Sequence, residues 1–202
     1  MNDVMMSNEW DDYASGWDAN DDVRVYAQKA FDSFTRKVAP LISDLSGSRV
    51  LDFGCGTGLL TERLAPVCDQ IVAIDTSTRM IDVLRNKAIE AGIHNITVLS
   101  VCVDAATITA SAELASKFDL IVASSVCSFL PDYEATLADL SSLLKPGGYF
   151  VQWDWMEDMP VTRIRSAFEA SGLVDHRIKE EFVMGAGDEP MPVVMAIGRL
   201  NT

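Results

Sequence analysis

Three stretches of the chain place residues with useful chemistry at the ends of predicted strands. The first is Val50-Leu51-Asp52-Phe53-Gly54-Cys55-Gly56-Thr57-Gly58. A short apolar strand runs into a glycine turn and then into a helix. Glycines at 54, 56 and 58 let the main chain turn sharply and leave it bare for a ligand to lie against. Amides at the start of the next helix add donors. The pattern is GxGxG; a dinucleotide fingerprint needs GxGxxG, whose third glycine would fall on Leu59. The second is Asp75, closing the strand Ile71-Val72-Ala73-Ile74-Asp75. An acid there can accept both hydrogen bonds of a ribose diol. The third is Asp104-Ala105, just past a strand ending at Val103. There an acid can accept from an exocyclic amine while the next amide donates to a ring nitrogen, which together read adenine. Each has a plain structural alternative: a glycine turn that holds nothing, an acid capping the helix near Ser77, and an acid in a solvated turn.

These residues require a particular frame. Apolar positions Val23, Ala27, Ala30, Phe31, Phe34 and Val38 recur at helical spacing up to the break at Pro40. Strand and helix then alternate: strand 48–53, glycine turn, helix 59–65, strand 70–74, helix 77–91, strand 96–103, strand 118–123, helix 132–144, strand 149–153. Ser77 is an N-cap and Gly92 ends the helix before it. Lys145-Pro146-Gly147-Gly148 breaks the helix of 132–144. Near-continuous Val/Ile/Leu strands are buried on both faces, the mark of a parallel sheet under helices. The tail reads as a helix over 162–172 and strands over 174–184 and 192–199. With no helix between them, these two strands form an antiparallel pair at the sheet edge. The expected fold is a doubly wound α/β sheet.

Composition narrows the function. The chain has 202 residues, 49% of them apolar and 23% charged, which is globular. Its net charge of −14 argues against binding nucleic-acid backbone or anionic lipid, since both need a positive face. Residues 1–22 hold Asp3, Glu9, Asp11, Asp12, Asp18, Asp21 and Asp22 with no Lys or Arg. Cys55, Cys68, Cys102 and Cys127 form no CxxC pair, and only His94 and His176 could join them, so no metal site is expected. They read as reduced thiols. The start lacks a basic and apolar leader, and no run approaches a membrane span; a cytoplasmic location is expected.

In order along residues 48–153, LDFGCGTG, VAIDTS, CVDA, FDLIVASS and LLKPGGYF resemble the successive motifs of class I S-adenosylmethionine-dependent methyltransferases of the small-molecule type. The resemblance implies S-adenosylmethionine as donor and S-adenosylhomocysteine as product. It implies a seven-stranded Rossmann-like sheet of order 3-2-1-4-5-7-6 with strand 7 antiparallel. By the same resemblance, Asp52, Gly54, Cys55, Gly56 and Gly58 hold the methionine part and Asp75 takes the ribose hydroxyls. Thr76 and Met80 flank the adenine, Asp104 and Ala105 read its edge, and Ala123 and Ser124 lie beneath the sulfonium. Cys102-Val103 depart from the small residue common before the acid. Residues 1–45, with Trp10, Tyr13 and Trp17, resemble the family's aromatic helical lid, leaving 46–202 as the donor-binding domain.

Methyl transfer from a sulfonium is an in-line displacement that mainly needs alignment and exclusion of water. A base is needed only for a protonated acceptor, and the candidates are Asp132 and Asp154. His94 and His176 are badly placed for that role. Neither an NPP motif nor a Pro-Cys pair of nucleic-acid methyltransferases occurs. Tyr13, Trp17, Phe129, Trp153 and Trp155 can form an aromatic pocket, closed by residues 1–45 and the 125–132 loop, for a small organic acceptor. Two alternatives stay open: a donor-binding protein without turnover, and a protein methyltransferase drawing a basic partner to its acidic surface. A nicotinamide oxidoreductase lacks both GxGxxG and the Tyr-x-x-x-Lys of short-chain enzymes.

Overall fold

The computed structural model describes residues 9–185 and 190–201. Expectations that fall on 1–8, Asp3 among them, and on the 186–189 turn lie outside the described residues. Five strands run parallel: β1 (Arg49–Phe53), β2 (Gln70–Asp75), β3 (Ile96–Ser100), β4 (Phe118–Ser124) and β5 (Leu144–Trp155). Two more, β6 (Leu173–Met184) and β7 (Met191–Leu200), complete the sheet in the order 3-2-1-4-5-7-6. β7 is antiparallel to both of its neighbours. The strand order therefore reverses between β1 and β4, where an α/β sheet opens a crevice at the carboxyl ends of its strands.

The period-two pleat divides the apolar residues between two cores. Leu51, Phe53, Val72, Ile74, Ile121, Ala123 and Phe150 face one way. There they meet α6 (Tyr133–Ser142) and α7 (Val161–Ala170) through Leu137, Leu140, Ile164 and Phe168. Val50, Ile71, Ala73, Leu120, Val122, Val151 and Trp153 face the other way. They pack on α1 (Asp21–Ser33), α2 (Leu59–Leu64) and α3 (Thr78–Glu90). Tyr26, Ala30, Phe34 and Val38, each four apart, form one helical stripe and are all buried in this second core. The stretch from 21 to 38 thus shares the core of the sheet, and only residues 9–20 run as a strap of short turns outside it.

Three local features differ from expectation, the first being that β3 ends at Ser100 rather than at Val103. Residues 104–116 carry two short helices, α4 (Ala105–Ala110) and α5 (Ala112–Ala115), where no element was expected. Their sequence has almost no amphipathic stripe, and α4 is set by its cap, the Asp104 carboxylate accepting from the Thr107 amide at 2.7 Å. β5 begins at Leu144 rather than at Tyr149. Phe118 pairs with Leu144 and the ladder resumes at Leu120 with Tyr149, so the Pro-Gly-Gly segment is accommodated as a bulge in the register.

Candidate active site

A cavity of about 620 Å³ opens at the carboxyl ends of β1, β2, β4 and β5, over the reversal of strand order. Its floor is the turn after β1 (Phe53, Gly54, Cys55, Gly56), the end of β2 (Ile74, Asp75, Thr76) and the end of β4 (Ser124, Ser125). The strap and the start of α1 cover it with Glu9, Trp10, Trp17, Asp22, Val23 and Tyr26. Val126, Phe129, Leu130 and Pro131 close one side, Val101, Cys102 and Val103 another, and Trp155 the end of β5. A shallower groove of about 440 Å³ lies at the opposite ends of the strands, between Tyr149 and Arg199, away from all of these loops.

The glycine turn works through backbone and through missing side chains. Gly54 has φ +68°, and a Cβ on it would stand 2.3 Å from Val126, so only glycine lets β1 pack against the loop after β4. Gly56, at φ +54°, is different: a Cβ there would meet nothing nearer than the Trp17 indole nitrogen at 3.9 Å, and the bare backbone faces the cavity. The Gly56 amide donates to Asp75 Oδ2 at 2.8 Å, and the Ser77 amide donates to Oδ1 at 2.8 Å. These bonds aim a carboxylate along the cavity floor and leave it further lone pairs for a ligand's hydroxyls. Burial raises the Asp75 pKa despite these amides. Beneath the turn, Asp52 is buried and accepts from the Thr61 hydroxyl at 2.6 Å. Burial pushes it up to about 7. The Cys55 thiol is pushed well above its ordinary range by burial and by Asp52 and Asp75, which disfavours the thiolate a nucleophile would need.

The strap is tied down onto this turn. Asp18 accepts from the Thr57 hydroxyl at 2.5 Å and from Lys87 Nζ at 2.7 Å, and Lys87 also reaches the Thr57 carbonyl at 3.1 Å. Asp11 accepts from the Ser77 hydroxyl at 2.6 Å. Trp10 meets Phe129 edge-on at 5.0 Å and Trp17 at 6.1 Å, which joins the strap to the 125–131 loop across the cavity mouth. Below them the Tyr26 hydroxyl donates to the Trp153 carbonyl at 2.9 Å, and the Ser125 amide donates to the same carbonyl at 2.7 Å. Ser125 sits at φ +55°, a left-handed conformation rare for a residue with a side chain, at the very end of β4.

Of the residues named from sequence, the cavity lining brings together Gly54, Cys55, Gly56, Asp75, Thr76, Met80, Ser124, Trp17 and Phe129. Asp52 and Ala123 lie beneath it as buried supports, and the space a Gly58 side chain would take is filled by Leu84 at 2.2 Å. Asp104 and Ala105 are exposed and outside the lining. Asp104 is the cap of α4, and the Thr107 amide holds its pKa down. Asp132 is likewise a helix cap, accepting from the Ala135 amide at 2.9 Å. Tyr13 is 59% exposed and outside the lining. Trp153 lies fully in the core with its indole donating to the Ser33 hydroxyl at 3.1 Å; the side of the pleat was right but the position is one repeat too deep, and Trp155 is the one at the cavity. Asp154 points to the opposite face, where Gln152 Nε2 donates to it at 3.0 Å and the Ser128 amide at 3.4 Å. Burial raises it to about 7.

Sequence reasoning placed Tyr26, Ser125 and Val126 within the enclosing segments 1–45 and 125–132 but singled out none of them. Tyr26 was hidden in a helical stripe, because a core residue in the second turn of a helix looks the same whether its neighbour is a strand or a cavity. For Ser125 nothing in the composition announces a left-handed residue. Among the described residues no group of three or more His, Cys, Asp or Glu could hold a metal, and no helix is long and apolar enough to cross a membrane.

A sheet of this order, with a glycine turn and an acid at the ends of β1 and β2, defines the class I S-adenosylmethionine-dependent methyltransferase fold. Residues 51–150 match the family described as methyltransferase domain. A ubiquinone biosynthesis O-methyltransferase of Xanthomonas euvesicatoria pv. vesicatoria is 36% identical over 105 residues, covering 52% of this chain and 42% of that protein. One from Pasteurella multocida is 32% identical over 115 residues, covering 55% and 48%. The chain thus spans less than half the length of these curated relatives. The N-methyltransferase NodS of Bradyrhizobium japonicum, solved with S-adenosylhomocysteine, has the same fold at TM-score 0.67 and 22% identity, over 96% of this chain and all of that one. A methyltransferase from Clostridium acetobutylicum superposes at TM-score 0.71 with 16% identity, over 96% and 100%.

Proposed function

We propose that the protein transfers a methyl group from S-adenosylmethionine to a small organic acceptor. The observation that carries this reading is one cavity that joins the Gly54–Gly56 turn and the Asp75 carboxylate to an aromatic cover. The donor's shape fits: the bare backbone at Gly56 leaves space above the turn, and Asp75 faces that space from the end of β2. Asp75 would hold the ribose hydroxyls, and Thr76, Met80 and the Val101–Val103 wall would flank the adenine. Asp52 supports the turn from beneath, and Ser124 lines the cavity at the end of β4. When bound, S-adenosylmethionine supplies a methyl group on a good leaving group. The chain's own residues then align and enclose: the strap, pinned through Asp18 and Asp11, excludes water, and Trp10, Trp17, Phe129 and Trp155 confine the acceptor. Neither Asp132 nor Asp154 reaches the cavity, so no base is assigned, and the acceptor arrives as its own nucleophile or loses its proton to water. Among the described residues of 1–45 the covering role belongs to the strap 9–20 and the start of α1.

Calorimetric titration of the full chain with S-adenosylhomocysteine and with NAD, beside Asp75→Ala, tests the reading. Binding of the first only is expected, weakened in the variant by about 1.5–3 kcal/mol. Binding of NAD, or unchanged affinity in a folded Asp75→Ala protein, contradicts it.

A further inference from the structure

The charges around the cavity show what kind of acceptor it takes. Between residues 9 and 22 the strap and the first turn of α1 carry Glu9, Asp11, Asp12, Asp18, Asp21 and Asp22. Four of these are committed to the frame. Asp11 holds Ser77, Asp18 holds Thr57 and Lys87, Asp12 faces Arg79 at 3.8 Å, and Asp21 pairs with Arg24. Glu9 and Asp22 line the cavity instead, and among the described residues neither forms an ion pair. The lining contains no Lys, Arg or His. Nor do the undescribed segments bring one: the first basic side chain of the sequence is Arg24, and 186–189 has none.

The aromatic wall is a second, independent observation. Trp10 packs edge to face on Trp17 and on Phe129, and all three rings line the same cavity as Glu9 and Asp22. Ring faces and carboxylates both attract a cation. An anionic acceptor would meet like charge and leave water with nothing to replace it.

We infer that the acceptor is a small amine on an apolar or aromatic body, and that Glu9 and Asp22 select it at the mouth. This deepens the methyltransferase reading and rests on it. The amine docks as its ammonium and loses one proton to water; the neutral nitrogen then uses its lone pair to form the N–C bond as the C–S bond breaks with its electrons going to sulfur. Both carboxylates are exposed, so their pull is screened and graded rather than absolute.

The test uses three phenols of one shape: tyramine, 4-ethylphenol and 3-(4-hydroxyphenyl)propanoate. Each is titrated into the full chain saturated with S-adenosylhomocysteine, at low and at about 0.5 M salt. Tyramine should bind tightest and the propanoate weakest, with a spread of about tenfold that narrows as salt rises. Glu9→Gln with Asp22→Asn should shrink the spread to about twofold and leave S-adenosylhomocysteine affinity within about twofold. The inference is overturned if the propanoate binds as well as tyramine, if none of the three binds, or if the double variant keeps the ranking. A variant that loses S-adenosylhomocysteine affinity and keeps the ranking assigns the two acids to the donor instead. Failure of the unaltered chain to bind S-adenosylhomocysteine brings down the methyltransferase reading itself, a separate result from any ranking.

Discussion

The two ends of the cavity are built on different physics. At the end proposed to hold the donor, the turn after β1 and the acid after β2 are fixed by buried packing and by backbone hydrogen bonds: Gly54 against Val126, and Asp75 between the amides of Gly56 and Ser77. At the acceptor end, the strap lies outside the core and is held by half-buried side chains, with Asp18 on Thr57 and Lys87 and Trp10 on Phe129. The donor end is therefore close to a fixed mould. The acceptor end is a cover whose attachments are each worth little, so it can open and reclose without disturbing the sheet. A common donor needs the first arrangement, and a substrate that must enter and leave needs the second.

The largest effect should come from disturbing the mould. Gly54→Ala places a methyl 2.3 Å from Val126 on a residue at φ +68°. Strain and overpacking together should cost about 3 kcal/mol of stability in urea unfolding. A loss below about 1 kcal/mol would show that the turn is as soft as the strap.

Outside the cavity, the Asp154 carboxylate accepts from the Ser128 amide at 3.4 Å and so steadies the loop that carries Phe129. In the unfolded chain it titrates near ~3.9; folded, burial raises it to about 7. Between those values the native state keeps a proton that the unfolded chain has lost. Stability contributed here therefore falls as pH rises from about 4 to about 7, by up to about 1.4 kcal/mol per pH unit, and is flat outside that window. Asp154→Asn removes the titration. Its stability relative to the parent chain should improve as pH climbs through the window; a constant difference would mean that the carboxyl ionises as in water.

Smaller effects are expected at the cover. Asp18→Ala removes one ion pair and one hydrogen bond between partly exposed groups, and should weaken S-adenosylhomocysteine by about 1 kcal/mol while speeding proteolysis within 9–20. Unchanged proteolysis would mean that the aromatic contacts alone hold the strap. Smallest of all, Tyr13→Ala should alter donor and probe affinities by less than about 0.5 kcal/mol, since the ring is 59% exposed and outside the cavity lining. A larger change would place Tyr13 among the covering residues beside Trp17.

The same contrast explains what could be read from the chain. Strand order, the glycine turn and Asp75 were legible because each is local: an apolar run, a turn residue and an acid at a strand end. The antiparallel tail was legible because two strands followed each other without a helix. Asp104 and Asp132 cap helices, and in sequence a cap cannot be told from a ligand-binding acid, since both follow a strand. Trp153 misled because pleat parity tells the side and not the depth. The division of the strap's acids between frame and cavity was invisible, since it depends on which of Asp11, Asp12, Asp18 and Asp21 find Ser77, Arg79, Lys87 and Arg24 in three dimensions.

The most direct test of the account is a crystal structure of the chain with S-adenosylhomocysteine. The ribose hydroxyls should lie about 2.7–3.2 Å from the Asp75 carboxylate, the backbone of Gly56 should face the ligand, and its sulfur should point toward Trp10, Trp17 and Phe129. A ligand whose ribose is held elsewhere, or whose sulfur faces away from the strap, would contradict the division of the cavity into a donor mould and an acceptor cover.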